Sequence, residues 1–218
     1  MDIHQILSLS PVIPVLTIRR ADDAVPLAQA LVGGGLRVLE VTLRTDAALE
    51  SIRRIVSEVP EAVVGAGTVT RPVDLSMVRA AGGRFAVSPG LTEDLARAAS
   101  EDGLPLLPGI MTPSEAMAAR ALGFHALKLF PAKVAGGVGF LKALHGPLPD
   151  LVFCPTGGIG RESFREYLTL PYVPCVGGSW VAPKDAVAEG RWDQIRELAR
   201  DASGLPRSTG SGAPTDFP

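Results

Sequence analysis

From Val12 onward, short runs rich in Val, Ile and Leu alternate with longer amphipathic stretches, and this alternation constrains the fold more than any single motif does. Runs that are apolar throughout suit strands buried on both faces, and the amphipathic stretches between them supply the helices that cover those faces. The pattern predicts strands near Val12–Thr17, Val38–Leu43, Val63–Gly67, Phe85–Val87, Leu104–Pro108, Ala126–Phe130, Leu151–Phe153 and Pro174–Gly177. Helices are expected over Ala21–Val32, Ala47–Glu58, Pro72–Ala80, Thr92–Glu101, Pro113–Leu122, Gly139–Leu144, Arg161–Tyr167 and around Arg191–Arg200. Eight such units fit an α/β protein built as a single-domain (β/α)8 TIM barrel over residues 1–202, with an open doubly wound sheet as the alternative. A short helix within Met1–Ser10 is expected to cover the barrel bottom. Residues 203–218 form a Gly/Ser/Pro/Thr segment too poor in apolar side chains to offset its ordering entropy, and are expected to be a flexible tail.

Local signals agree with the helix assignments. In Thr112-Pro113-Ser114-Glu115 a capping hydroxyl precedes a proline at the first helical position, and Asp74 and Glu93 fall in first turns, where a negative charge suits the helix dipole. Charge is spread thinly elsewhere: 21 basic and 23 acidic residues give a net charge of −2 without long like-charge blocks. Such a surface offers no footprint for nucleic acid or an anionic membrane, which leaves a small molecule as the expected partner. The start of the chain lacks a basic segment followed by an apolar one, and no apolar run reaches the roughly 18 residues of a membrane span, so a soluble, cytoplasmic protein is expected. Cys154 and Cys175 have neither metal-ligand spacing nor the density of a disulfide framework and are read as small buried thiols. His4, His125 and His145 are dispersed, no two of them at metal-ligand spacing, so no metal site is inferred.

Within this frame one residue stands out. Lys128 lies inside the apolar run His125-Ala126-Leu127-Lys128-Leu129-Phe130-Pro131, and a lysine is almost never fully buried without a partner or a task. Side chains alternate along a strand, so Leu127 and Leu129 face the helices while Lys128 and Phe130 point inward. The same rule puts Glu40, Thr42 and Arg44 on the inward face of Val38–Arg44, opposite Leu39, Val41 and Leu43. A structural ion pair filling the interior is one reading of these charges. The other is chemical: a glutamate, an arginine and a lysine on inward faces of different strands make a poor stabilising device, because a charge in a low-dielectric interior loses several kcal/mol of solvation. For a lysine in general, burial and a neighbouring cation favour the neutral amine, the nucleophile of Schiff-base chemistry, while a close carboxylate opposes them.

The rim of the fold carries small and rigid residues. Gly65-Ala66-Gly67-Thr68 ends the third strand with room for a ligand, and Ser88-Pro89-Gly90 and Leu107-Pro108-Gly109 make turns at the same rim. Thr156-Gly157-Gly158-Ile159 and Gly177-Gly178-Ser179-Trp180 follow the last two strands, where exposed backbone N–H groups favour an anion such as phosphate. Lys133 lies near enough in sequence to reach such an anion, although a solvated side chain is the simpler reading, as it is for Arg19 and Arg20.

Taken together, these motifs resemble those of the 2-keto-3-deoxy-6-phosphogluconate (KDPG) aldolases, class I enzymes that often also act on 4-hydroxy-2-oxoglutarate. The resemblance runs from about Val12 to Arg200 and is carried by Leu39-Glu40-Val41-Thr42-Leu43-Arg44-Thr45, Val64-Gly65-Ala66-Gly67-Thr68, Ser88-Pro89-Gly90-Leu91-Thr92, Lys128-Leu129-Phe130-Pro131-Ala132, Phe153-Cys154-Pro155-Thr156-Gly157-Gly158-Ile159 and Gly177-Gly178-Ser179-Trp180. It implies that Lys128 is the Schiff-base lysine and Glu40 the general acid and base. Arg44, helped by Thr68, would bind the substrate carboxylate, Pro89 and Phe130 would shape the pyruvyl pocket, and Gly157, Gly158 and Ser179 would bind phosphate. It also implies a homotrimer and no cofactor. One departure is Lys133, where family members often carry an acidic residue.

The chemistry so implied is cleavage of KDPG to pyruvate and glyceraldehyde 3-phosphate, with 4-hydroxy-2-oxoglutarate giving pyruvate and glyoxylate. Two alternatives remain at this level: a metal-dependent aldolase or phosphate-binding isomerase on a similar barrel, and a non-catalytic sugar-phosphate-binding barrel. The inward Lys128 and the lack of a His/Asp ligand set argue against the first, and retention of both Glu40 and Lys128 argues against the second.

Overall fold

In the computed structural model of the chain, residues 1–204 are described, and short strands alternate with helices along them. The expected tail lies, from position 205 on, outside the described residues. The strands are β1 (Val12–Leu16), β2 (Val38–Thr42), β3 (Val63–Gly67), β4 (Ala86–Val87), β5 (Leu106–Leu107), β6 (Gly109–Ile110), β7 (Ala126–Leu129), β8 (Val152–Phe153) and β9 (Val176–Gly178). The helices are α1 (Ile3–Leu7), α2 (Ala24–Gly33), α3 (Ala48–Glu58), α4 (Pro72–Ala80), α5 (Glu93–Asp102), α6 (Pro113–Ala121), α7 (Gly137–His145), α8 (Phe164–Tyr167), α9 (Lys184–Ala188) and α10 (Trp192–Ser203).

The closed eight-stranded barrel expected from the sequence does not form. The strands, all paired in parallel, make a curled six-stranded sheet in the order β5-β4-β3-β2-β1-β9 and a separate three-stranded sheet, β6-β7-β8. Pro108 explains one boundary. It has no N–H to give to a ladder, and it separates β5, which lies within the expected strand Leu104–Pro108 and pairs with β4, from β6, which lies beyond that expected strand and pairs with β7. Across this break the Leu107 carbonyl accepts from the Ser88 N–H at 3.1 Å, while the Pro108 carbonyl accepts from the Lys128 N–H at 2.8 Å. At the other boundary Pro155 follows β8, and a bridge between Thr156 and Gly177, with the Gly177 N–H donating to the Pro155 carbonyl at 2.9 Å, is what joins it to β9. The doubly wound alternative is not seen either, since β1 to β5 neighbour one another in chain order without a reversal point.

Helix formation follows the local signals. Thr112 caps α6 by accepting from the Glu115 N–H at 3.2 Å, the Glu115 carboxylate accepts from the Thr112 N–H at 2.8 Å, and Pro113 occupies the first turn. In α3 the buried residues are Ala48, Ser51, Ile52 and Ile55, the three-and-four spacing of one helical face. Burying each of the two isoleucines stabilises the fold by about 1.5–3 kcal/mol. The expected helix Arg161–Tyr167 is shorter, because the Gly160 N–H donates to Ser163 Oγ at 3.2 Å and holds the preceding residues in a turn; α9 was not expected at all.

Alternation along the strands is as the sequence predicts. Leu39, Val41, Leu127 and Leu129 join the apolar layer beneath the helices. Val38 and Ala126 face the concave side, in a second cluster with Ile13, Phe85, Val87, Leu107, Cys154 and Cys175. Ile6 and Leu7 of α1 complete that cluster at the N-terminal ends of the strands, which is the covering role expected of the N-terminal helix. The two cysteines are free and buried with Sγ atoms 3.7 Å apart, and burial, with Cys154 beside it, pushes the Cys175 thiol well above its ordinary range.

Candidate active site

The concave side is apolar at the N-terminal ends of the strands and polar above. Glu40 on β2 and Lys128 on β7 point into it from different sheets, and Lys128 Nζ donates to Glu40 Oε1 at 3.2 Å. Glu40 is 3% and Lys128 5% exposed, so both charges are almost wholly removed from water. Each ion loses several kcal/mol of hydration that their mutual attraction only partly restores, which makes the pair a weak device for stability. The Lys128 ammonium also lies 5.3 Å from the centre of the half-buried Phe130 ring.

Strand register explains how the carboxylate fits. Glu40 pairs with Gly65 and Thr42 with Gly67 across the β2–β3 ladder. A Cβ on Gly67 would lie 2.0 Å from Glu40 Oε1 and 2.7 Å from its Cγ and Cδ, so a residue without a side chain is what leaves room there. The small residues of Gly65-Ala66-Gly67-Thr68 suggest room for a ligand; in the structure Gly67 is first of all room for Glu40. Register is a non-local property, and no local signal reveals it.

Nearer the mouth, the exposed Arg44 donates from Nε to Thr68 Oγ1 at 2.9 Å. Thr68 has φ of 60°, the left-handed region, and is alone in this among the described non-glycine residues. A β-branched side chain is held there at a cost of roughly 1–2 kcal/mol, and the bond that results aims the guanidinium. Besides that bond, Arg44 makes no side-chain hydrogen bond or ion pair among the described residues, which leaves its fork open to a carboxylate. Pro89 is exposed at the rim after β4, and Phe130 stands beside Lys128, so of the two residues expected to shape a pocket the second contacts the lysine.

The two glycine loops are neighbours. Thr156-Gly157-Gly158 follows β8, Ser179 follows β9, and the Thr156–Gly177 bridge ties the loops together. Gly157 and Gly158 have φ of 101° and 73°, conformations that glycine adopts freely. Ser179 is exposed and also lines a cavity of about 450 Å³ at this rim, with Thr17, Arg19, Arg20 and Lys184 among its walls. That cavity lies to one side of the Lys128–Glu40 pair, neither of which lines it. The Thr156 side chain, given no role from sequence, is 5% exposed and fills the space above Gly177, where a Cβ would meet its Oγ1 at 2.2 Å. Among the described residues no three His, Cys, Asp or Glu side chains gather as a metal-ligand group, and no helix is long and apolar enough to cross a membrane.

Comparison with known proteins converges on one family. The family model described as KDPG and KHG aldolase matches residues 3–198. The 2-dehydro-3-deoxy-phosphogluconate aldolase of Pseudoalteromonas atlantica is 54% identical over 199 residues, covering 91% of this chain and 93% of that one. The KHG/KDPG aldolase of Escherichia coli is 53% identical over the same length and shares. Among solved structures, the KDPG aldolase from Legionella pneumophila with pyruvate captured at low pH as a covalent carbinolamine intermediate superposes with a TM-score of 0.89 at 46% identity, covering 91% of this chain and 96% of that one.

Proposed function

Since the chain belongs to the KDPG and KHG aldolase family, we propose that Lys128 and Glu40 perform in it the class I, Schiff-base cleavage of KDPG to pyruvate and glyceraldehyde 3-phosphate. The chain is an aldehyde-lyase of that family, and 4-hydroxy-2-oxoglutarate is its second substrate, cleaved to pyruvate and glyoxylate. The single observation that carries the residue assignment is the buried 3.2 Å contact between Lys128 Nζ and Glu40 Oε1.

At that distance one carboxylate can serve every proton transfer. Glu40 takes a proton from the Lys128 ammonium, and the free amine attacks the C2 ketone to form a carbinolamine. The same proton, returned to the C2 hydroxyl, lets it leave as water and gives an iminium. Glu40, again a carboxylate, then removes the C4 hydroxyl proton; the C3–C4 electron pair flows into the iminium, which yields an enamine and the aldehyde. Protonation of C3 by Glu40 and hydrolysis release pyruvate and regenerate the amine. Arg44, aimed by Thr68, grips the C1 carboxylate bidentately and turns the carbonyl toward the lysine. Pro89 and Phe130 flank the pyruvyl carbons, and Gly157, Gly158 and Ser179 receive the phosphate. The assembly that fits this reading is a homotrimer and the compartment the cytoplasm, both on family grounds.

The test is borohydride trapping with pyruvate, followed by peptide mapping. The chain has four lysines, at positions 128, 133, 142 and 184, so the labelled site is unambiguous. Reduction is expected to inactivate the protein in the presence of EDTA and to place the label on Lys128. A label on another lysine, or loss of activity in chelator alone, overturns the assignment.

A further inference from the structure

Lys133 is a cation without a carboxylate. It is exposed in the loop that follows β7 and the cis peptide bond Phe130–Pro131, and it makes no ion pair or side-chain hydrogen bond among the described residues. Its course is nevertheless fixed by two contacts. The Lys133 N–H donates to the Gly157 carbonyl at 3.0 Å and the Ala132 N–H to the Thr156 carbonyl at 2.8 Å, which lays this loop along the Thr156–Gly158 loop. The side chain then runs over Gly158: a Cβ there would lie 2.6 Å from Lys133 Cβ, 3.1 Å from Cδ and 3.4 Å from Cγ. The ammonium is two bonds beyond that Cδ, so it is carried at the lip of the loop by a stem resting on bare backbone.

The charge has a use there. The groups assigned to the phosphate, backbone N–H groups of Gly157 and Gly158 and the hydroxyl of Ser179, are all neutral donors, whereas a phosphate monoester is close to a dianion at neutral pH; Arg19, Arg20 and Lys184 stand around the cavity that Ser179 lines, and Lys133 is the cation whose stem lies on Gly158 itself. We propose that Lys133 is a substrate-binding residue that supplies positive charge to the substrate phosphate, and that it thereby sets the preference for phosphorylated over unphosphorylated 2-keto-3-deoxy acids. The proposal rests on the Schiff-base reading above and on its placement of the phosphate. A stem held against Gly158 loses less freedom on binding than a solvated lysine would, which is what turns a rim charge into a specificity element.

The experiment compares kcat/KM for KDPG with kcat/KM for 2-keto-3-deoxygluconate, the same six-carbon acid without phosphate. In Lys133→Met, which keeps the stem and removes the charge, the ratio of the two is expected to fall about tenfold, through KM for KDPG and not through kcat. Lys133→Glu should lower it further, Lys133→Arg should restore it, and KM for KDPG should depend less on salt once the charge is gone. A ratio within about twofold of the unmutated protein, or an equal loss on both substrates as a purely structural strap would give, overturns the proposal. Ser179→Ala, measured alongside, separates the two levels: if it lowers the ratio while Lys133→Met does not, the phosphate loops stand and Lys133 is a bystander. An unmutated protein with no preference for KDPG refutes the phosphate placement itself, and the role of Lys133 with it.

Discussion

Gly67 offers a way to move the Glu40 carboxylate without altering either ionisable side chain. Its φ is not in the left-handed region, so alanine suits its backbone, and the pairing with Thr42 and the 2.8 Å bond from the Leu43 N–H to the Gly67 carbonyl survive the change. The new methyl group, however, would sit 2.0 Å from Glu40 Oε1. Non-bonded carbon and oxygen atoms settle more than about 3 Å apart, so the carboxylate must retreat by roughly 1 Å. The atom displaced is the one that accepts from Lys128 Nζ at 3.2 Å, so the retreat moves the carboxylate out of its observed position against the lysine. A catalytic group misplaced by about 1 Å costs on the order of a hundredfold in rate, and loss of acid–base assistance altogether costs about 10²–10⁴-fold. Crowding the site adds about 1–3 kcal/mol of destabilisation, which a thermal melt reads separately. Gly67→Ala should therefore remain folded, with kcat down about a hundredfold when pyruvate release is followed through lactate dehydrogenase. Glu40→Gln, which keeps the shape, should trap pyruvate with borohydride only slowly and turn over poorly, because Glu40 serves both iminium formation and cleavage. A folded Gly67→Ala with kcat within about threefold of the unmutated protein would refute the link between the observed position of Glu40 and turnover.

Much of this geometry was legible in the sequence, and the limits of that legibility have physical causes. Strands buried on both faces read as apolar runs, so all of the expected strand positions were found. The period of two along Val38–Arg44 and Ala126–Phe130 placed Glu40 and Lys128 inward without any knowledge of the partner strand. What the period does not encode is closure. Pro108 reads as the last residue of a strand, yet beyond its missing N–H the chain forms a further short strand, Gly109–Ile110, that joins a different ladder, and the barrel expected from the number of units becomes two sheets. The clearance between Gly67 and Glu40 and the course of Lys133 over Gly158 depend on which strands and loops become neighbours, which no window of sequence contains. The five-residue helix α9 escaped for a different reason: it is too short to show a helical period.

Two further perturbations bear on how the frame holds the site. Glu115 accepts from the Met111 N–H at 2.6 Å and the Thr112 N–H at 2.8 Å, and the Met111 bond above all holds its carboxyl below the usual range, against the effect of burial. A lowered folded pKa contributes stability that is present above the unfolded value of about 4.3 and lost as pH falls through the folded value. Glu115→Gln should accordingly lower the denaturation midpoint at pH 7 and converge with the unmutated protein as the pH is taken below about 4; an equal gap at both pH values would show that the cap is not linked to ionisation. Thr68→Gly tests the aim of Arg44. Removing the left-handed threonine relieves roughly 1–2 kcal/mol of strain, while glycine adds about 0.5–1 kcal/mol of unfolded-state freedom, so stability should rise by between about 0 and 1.5 kcal/mol. The 2.9 Å bond to Arg44 Nε is lost with the hydroxyl, and if that bond is what turns the guanidinium toward the substrate carboxylate, KM for the keto acid should rise by more than kcat falls. An unmoved KM would mean that Arg44 finds the carboxylate unaided, and that the strained backbone at Thr68 serves the turn after β3 and nothing else.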